Sequence, residues 1–430
     1  MSFVRLLRTN RNYRYAWTGQ VVSEIGDHFN NIAVFSLALA HTKSGLVVSG
    51  VMLARAVPAM LAGPLAGVLL DRLNRRQVML ASDLVRAVVA AAFILTVYRP
   101  ENWLLYLLSG MLMFASPFFT SGRTAILPAI ASKDELHTAN SLTQTTQWTT
   151  LTIGTFLAGA SVAQFGFAWA FLINTLSFVV SALCIWQIRL PEGAFTARRN
   201  ARATGDKLRP WHDYKEGLRY IVSTPLVLGI ALVGVGWASG GGAAQILFSL
   251  FGEIVFERGP AGIGIIWGCA GIGLLIGGFF AHWTGTGISF GNYKRLLFIC
   301  YILHGAAYVV FSQMHRFWAA LIFIALSRAA IAVSSVLNMS KLLRHVPDEF
   351  RGRVFATLES LIWSTMMISM MFAGIASQTY DPRVIGAWAG VLSTTTALFW
   401  AWAHFTGRLK EPPRLDEQPE EVQVRETPAA

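Results

Sequence analysis

Two long apolar runs, Ser44–Leu70 and Val78–Val97, flank a short basic segment, Asp71-Arg72-Leu73-Asn74-Arg75-Arg76. Each run can cross a bilayer as a helix, which takes about 20 apolar residues. Three arginines and an aspartate therefore sit where the chain reverses at a membrane face. Such a hairpin rules out a soluble fold for this part of the chain and marks which face is cytoplasmic, because loops on that side carry the Lys and Arg.

The pattern recurs along the chain. Twelve spans are expected: Tyr15–Ala40, Val47–Leu70, Val78–Val97, Trp103–Ile126, Ala139–Phe165, Phe167–Ile188, Pro225–Phe251, Gly262–His282, Leu296–Ser312, Trp318–Leu343, Val354–Ser377 and Val384–Phe405. Gly240, Gly241 and Gly242 interrupt the seventh and mark a bend or a close helix contact. Only 13% of the 430 residues are charged, where a soluble chain has about 25%. The deficit runs the whole length, as in a polytopic membrane protein. The net charge of +12 does not point to nucleic acid, because the Lys and Arg residues lie in short clusters between apolar runs.

Orientation follows from those clusters. On the side of the N-terminus 26 Lys and Arg are counted and on the other side 5, with Arg55, Arg86, Arg123 and Arg328 inside or at the edge of spans. Both termini are expected in the cytoplasm of a multi-pass inner (plasma) membrane protein. The division expected is a six-helix bundle over 1–190, a cytoplasmic loop over 191–216, a second six-helix bundle over 217–409 and a disordered tail over 410–430. Arg5, Arg8, Arg11 and Arg14 precede the first run without a cleavage site, which reads as an uncleaved first span. Cys184, Cys269 and Cys300 lie within apolar runs, with neither metal spacing nor a disulfide framework. No phosphate-binding loop is present, so neither an ATP-driven pump nor a cofactor is expected.

Polar residues inside the spans carry the chemistry. Gln20, Glu24, Asp27, His28 and Asn31 fall on one face of the first span. Carboxylates at membrane depth are costly and face a wet cavity or a partner. Asp27 or Glu24 is a protonation site, or the two form structural pairs, for example Asp27 with Arg55. Arg55, mid-way along the second span, is expected to pair with Asp27 or Glu24. Arg328, half-way along the tenth, would hold an anionic substrate group or pair with Glu359 on the eleventh. Asp83 and Arg86, one turn apart, read as a structural charge network near the basic loop. Asn140, Gln144 and Gln147 share a face beside Trp148, and line a cavity or bond between packed spans.

These residues, with Gly67-Val68-Leu69-Leu70-Asp71-Arg72-Leu73-Asn74-Arg75-Arg76, resemble the loop motif of the major facilitator superfamily. Asn10-Arg11-Asn12-Tyr13, Gly26-Asp27, the stretch from Leu127-Pro128 to Ala139-Asn140-Ser141, and Val346-Pro347-Asp348-Glu349-Phe350-Arg351-Gly352-Arg353-Val354 extend the likeness to the drug:proton antiporter branch of macrolide efflux and enterobactin export proteins. The resemblance implies an all-α membrane fold of twelve helices in two pseudo-symmetric six-helix bundles. It implies a gating motif of Gly67, Asp71, Arg72, Arg75, Arg76 and Asp83, in which Asp71 holds the N-terminal end of the eleventh helix. The fourth span reads as lacking the mid-membrane arginine of many proton-coupled relatives.

The expected function is export of an amphipathic small molecule by proton antiport with alternating access, by a monomer that binds neither metal nor nucleic acid and is not an enzyme. Asp27, Glu24 and Arg55 form the coupling group. Gln20, His28, Asn31, Gln144, Gln147, Trp148, Arg328 and Glu359 are the candidates for the cavity wall. The alternatives are an importer or lysolipid flippase on the same fold, or a non-transporting membrane sensor.

Overall fold

The computed structural model describes residues 3–99, 101–189, 195, 210–285, 287–409 and 411. A short helix α1 (Phe3–Thr9) leads into α2 (Arg11–Thr42), α3 (Gly45–Arg72), α4 (Arg75–Ala92) with its continuation α5 (Leu95–Tyr98), α6 (Asn102–Ile130), α7 (Lys133–Phe165) and α8 (Phe167–Trp186). The second half follows with α9 (Pro210–Ser223), α10 (Pro225–Leu250) ending in a π-helical turn Phe251–Val255, α11 (Gly259–Gly285), α12 (Phe290–Gln313), α13 (Phe317–His345), α14 (Asp348–Ala376), α15 (Pro382–Leu392) and α16 (Thr395–Phe405). Among the described residues ten helices are long and apolar enough to cross a membrane. Helices α2 and α7 are not among them, although they have 32 and 33 residues. The polar side chains that lower the hydropathy of α2 include Glu24, Asp27, His28 and Asn31 of the candidate site.

Local chemistry sets the ends. Asn74 closes the α3–α4 turn by accepting from the backbone N–H of Arg76 at 3.0 Å and of Gln77 at 3.3 Å. Ser132 and Glu135 form a capping box at the start of α7. The Glu135 carboxyl is held below its ordinary range, chiefly by the Ser132 backbone N–H. Three differences from the expected spans stand out. Helix α10 runs unbroken through Gly240–Gly242, since a Cβ at Gly240 or Gly242 would strike the carbonyl of Ala389 or Met366; the glycines serve close contact, not a bend. The last span is two helices rather than one. The stretch expected as a loop to residue 216 is helical from Pro210, while nearly all of 190–209 and the tail beyond 411 lie outside the described residues.

Helices α2, α4, α6 and α8 pack together with α3 on α6, and in the second half α13 packs against both α11 and α12, with α10 on α14. Val88, Phe279 and Phe405 are 70%, 76% and 80% exposed on the outside, where lipid rather than water would cover them. Three apolar cores result. One joins both halves and draws on Leu37, Val48, Phe93, Phe251, Ile263 and Met370. The other two stay within one half each: Tyr13, Met79 and Ile126 in the first, Tyr293, Leu342 and Val354 in the second. The shared core lies at the end away from the Asp71–Arg76 turn, and the separate cores lie at the basic end.

Candidate functional site

Between the halves is a cavity of about 670 Å³, walled by Asn31 and Arg55 from α2 and α3 and by Trp267, Glu359 and Trp363 from α11 and α14. It is shut at the far end. There Ser36 donates to Glu253 at 3.0 Å and Ser49 to the Met370 carbonyl at 2.9 Å, both across the halves. At Gly159 and Gly264 helices α7 and α11 come so close that a Cβ on Gly159 would lie 2.9 Å from the Gly264 Cα. Toward the basic end Met60 and Trp363, on opposite walls, are 50% and 45% exposed. The halves therefore meet at the far end and part at the basic end, and the cavity opens toward the basic end.

Three carboxylates and two guanidiniums, Arg86 and Arg123, sit behind the first-half wall, and a third guanidinium, Arg55, is on it. Glu24 accepts from Gln20 at 2.8 Å, from Thr150 at 2.8 Å and from Arg123 at 3.5 Å. Asp83 pairs with Arg86, one turn on, and the Arg86 guanidinium is held between the rings of Phe119 and Phe178 at 4.5 and 4.4 Å. Arg55 donates to the side-chain oxygens of Asn30 and Asn31. The expected pairing of Arg55 with Asp27 or Glu24 is thus not formed as a contact. Arg55 faces the cavity, and two amide oxygens one turn along α2 are nearer. Glu24 has turned to Arg123 instead. Asp27 keeps one side-chain oxygen buried with no hydrogen-bond donor. Arg55 and Arg86 act on it only through the electrostatic field.

Arg123 is the residue that sequence reasoning missed. It lay at the edge of the fourth span as expected, but α6 runs on to Ile130, which places Arg123 inside the helix and against Glu24. The fourth span does carry an arginine. A usable signal was present: Glu24 at membrane depth requires a cation, and Arg123 is among the few arginines within spans.

His28, Asn31, Arg55 and Glu359 line the cavity. Gln20 is buried behind the wall. Gln144 and Gln147 are exposed but not on the described wall, and Trp148 packs against Gly278 on α11. The α7 groups that meet the stripe include the Thr143 carbonyl, bonded to Gln20, the Thr150 hydroxyl, and Gly154, which lies against the His28 ring. Arg328 is not on the wall either, and Glu359 is not its partner: its guanidinium is buried over the Phe248 ring.

At the basic end Gly67, Asp71 and Arg72 are exposed. Arg75 donates to the Ala125 carbonyl at 2.9 Å and Arg76 to that of Trp186, so the arginines bind the turn to α6 and α8. The start of α14 is gripped by α9, where Arg353 pairs with Asp213 at 3.2 Å and Glu216 at 2.7 Å. His212, Asp213 and Glu216 come within 4.8 Å of one another. Arg353 occupies both carboxylates, which makes the group a charge clasp rather than a metal centre.

The sequence profile of the Major Facilitator Superfamily matches residues 16–288. The uncharacterized MFS-type transporter YfiS of Bacillus subtilis is 29% identical, over 52% of each chain, so the match spans about half of that relative. The proposed bacilysin exporter BacE of Bacillus subtilis is 27% identical over 85% of this chain and 89% of its own. Macrolide efflux protein A of Streptococcus pyogenes is 22% identical over 86% and 89%. Among solved structures, a bacterial homologue of the human lysosomal transporter Spinster, inward-facing and unoccupied, superposes with a TM-score of 0.67 at 12% identity, over 93% of this chain and 98% of that one. A bacterial homologue of the iron transporter ferroportin, also inward-facing, gives 0.65 at 17% identity over 93% and 100%.

Proposed function

The chain belongs to the Major Facilitator Superfamily, and from that premise we propose that this multi-pass membrane transporter exports an amphipathic small molecule in exchange for protons. The observation that carries the reading is Asp27: Glu24 and Asp83 each touch an arginine, while Asp27 touches none among the described residues and has a buried oxygen with no donor. A carboxylate so placed has a strong use for a proton. Ionised, it balances the field of Arg55 on the cavity wall; protonated, it releases that field. Substrate and proton then favour different access states, which is what exchange requires.

The excess of Lys and Arg supports reading the basic end as cytoplasmic, with both termini there. On that reading the cavity faces the cytoplasm, ready to load an export substrate. Its wall is mainly apolar and rich in methionine (Met52, Met60, Met113, Met370), which suits amphipathic molecules of varied shape. The two halves rock as bodies about the far-end contacts, and Asp71 takes the N-terminal end of α14 when the basic end closes. The exporter names among the relatives support the direction.

The test is dye and macrolide movement in everted membrane vesicles under a pH gradient, for wild type and Asp27→Asn. Movement that a protonophore abolishes and that Asp27→Asn lacks is the expected result. Movement that survives both removes protons and Asp27 from the mechanism.

A further inference from the structure

Arg328, on α13, is buried with 9% of its surface exposed. Unlike Arg86 and Arg123, it has no carboxylate within ion-pairing distance among the described residues; the titratable groups that share its field are Tyr308 and the buried His304, neither of them an anion. Its guanidinium lies 4.9 Å from the centre of the Phe248 ring. Two more donors collect about that ring. Trp267 packs edge-on to Phe248 at 5.0 Å and Tyr308 lies 6.4 Å away. The Trp267 Nε1 and the Tyr308 hydroxyl are both buried with no hydrogen-bond partner. Trp267 also lines the cavity, so two rings in contact, Trp267 and then Phe248, stand between the cavity and Arg328.

A buried cation needs an anion, and buried donors need an acceptor. Among the described residues the chain supplies neither here. We propose that Arg328, Tyr308 and Trp267 form an anion subsite in the second half that takes a carboxylate-type group entering from the cavity. The inference rests on the cavity being the transport route, and it narrows the substrate class to amphiphiles bearing one acidic group. Phe248 and Trp267 supply the apolar surface for the body of such a molecule next to the charge. The same chemistry would accept a small free carboxylate.

The test is calorimetric binding to the purified full chain in detergent, with 2-naphthylacetate and its neutral match 2-naphthylacetamide. Wild type binds the acid at least about tenfold more tightly than the amide, as a charge-assisted contact to a buried arginine implies. Arg328→Gln abolishes that preference while amide affinity is unchanged, which also certifies the variant's fold. Arg328→Lys keeps part of it, and Tyr308→Phe lowers acid affinity alone. Equal affinities in wild type, or a preference that survives Arg328→Gln, overturns the subsite. Competition by sodium acetate supports a free anion as occupant, and its absence supports an acidic group on the amphiphile. In proteoliposomes, an acid that binds with the stated preference but never moves defeats the export reading alone. Acid and amide that move equally and bind equally defeat the subsite alone.

Discussion

Asp27 and Glu24 lie one turn apart on α2, yet the structure gives them different work. Glu24 is locked by Gln20, Thr150 and Arg123, and removing its charge strands a mostly buried guanidinium. Glu24→Gln is expected to cost about 3 kcal/mol, read as a lower unfolding temperature in detergent. Asp27→Asn removes a group with no such contact, so stability changes little while coupling to the pH gradient is lost. A large drop in stability for Asp27→Asn with coupling intact would reverse the two assignments. Arg86 makes the same point about structure. It has an ion pair and two ring faces. Lysine keeps the charge but loses the planar stacking, so Arg86→Lys should lower the unfolding temperature, and Arg86→Ala should lower it further.

At the scale of elements, most boundaries were legible because helix ends carry their own chemistry. Leu73 closes one helix and Asn74 starts the next in a two-residue turn; Asn74→Ala is expected to cost about 1 kcal/mol, again read by thermal unfolding. The cap at Glu135 depends on pH. Its folded carboxyl titrates below the unfolded one, so its contribution is complete above the unfolded range and is lost as pH falls through the folded one. The stability gap between wild type and Glu135→Gln should shrink on acidification; a gap that widens would remove the cap from the account. Less legible were the two most polar spans. Helices α2 and α7 fall short on hydropathy because of their polar side chains: Glu24, Asn30 and Asn31 of α2 and Thr150 of α7 turn inward on Arg123, Arg55 or each other, while Gln144 and Gln147 of α7 stay exposed. The glycine triplet at 240–242 was readable as either a bend or a contact, and only the neighbouring carbonyls of Ala389 and Met366 decide between them.

For the whole molecule, the prediction concerns the far-end seal. Gly45 on α3 faces Ser377 just beyond α14, with a Cβ on Gly45 lying 2.9 Å from the Ser377 Cβ. In a chain freed of Cys184, Cys269 and Cys300, the pair Gly45→Cys with Ser377→Cys should cross-link once the two segments part by about 1 Å, to the Cβ separation of about 3.8 Å that a disulfide takes. That bond would hold the far end shut and stop transport while leaving cavity binding intact, and a reductant should restore movement. Transport that continues through the cross-link would show that the far end never has to open.

The twelve-span all-α plan, the basic turn and the stripe on the first span were all written in local order: apolar length, charge at the reversals, and helical spacing are properties of neighbouring residues. The partners were not. Glu24 chose Arg123 over Arg55, Arg55 chose two asparagines, Asp27 was left with an oxygen unbonded, and Arg328 with aromatic rings instead of Glu359. Each choice depends on the depth and rotation of one helix against another, differences of a few ångströms that spacing within a helix does not encode. The opening of the cavity toward the basic end is of the same kind, because it is a choice between two packings of one set of helices, and only the core shared at the far end shows which packing is present.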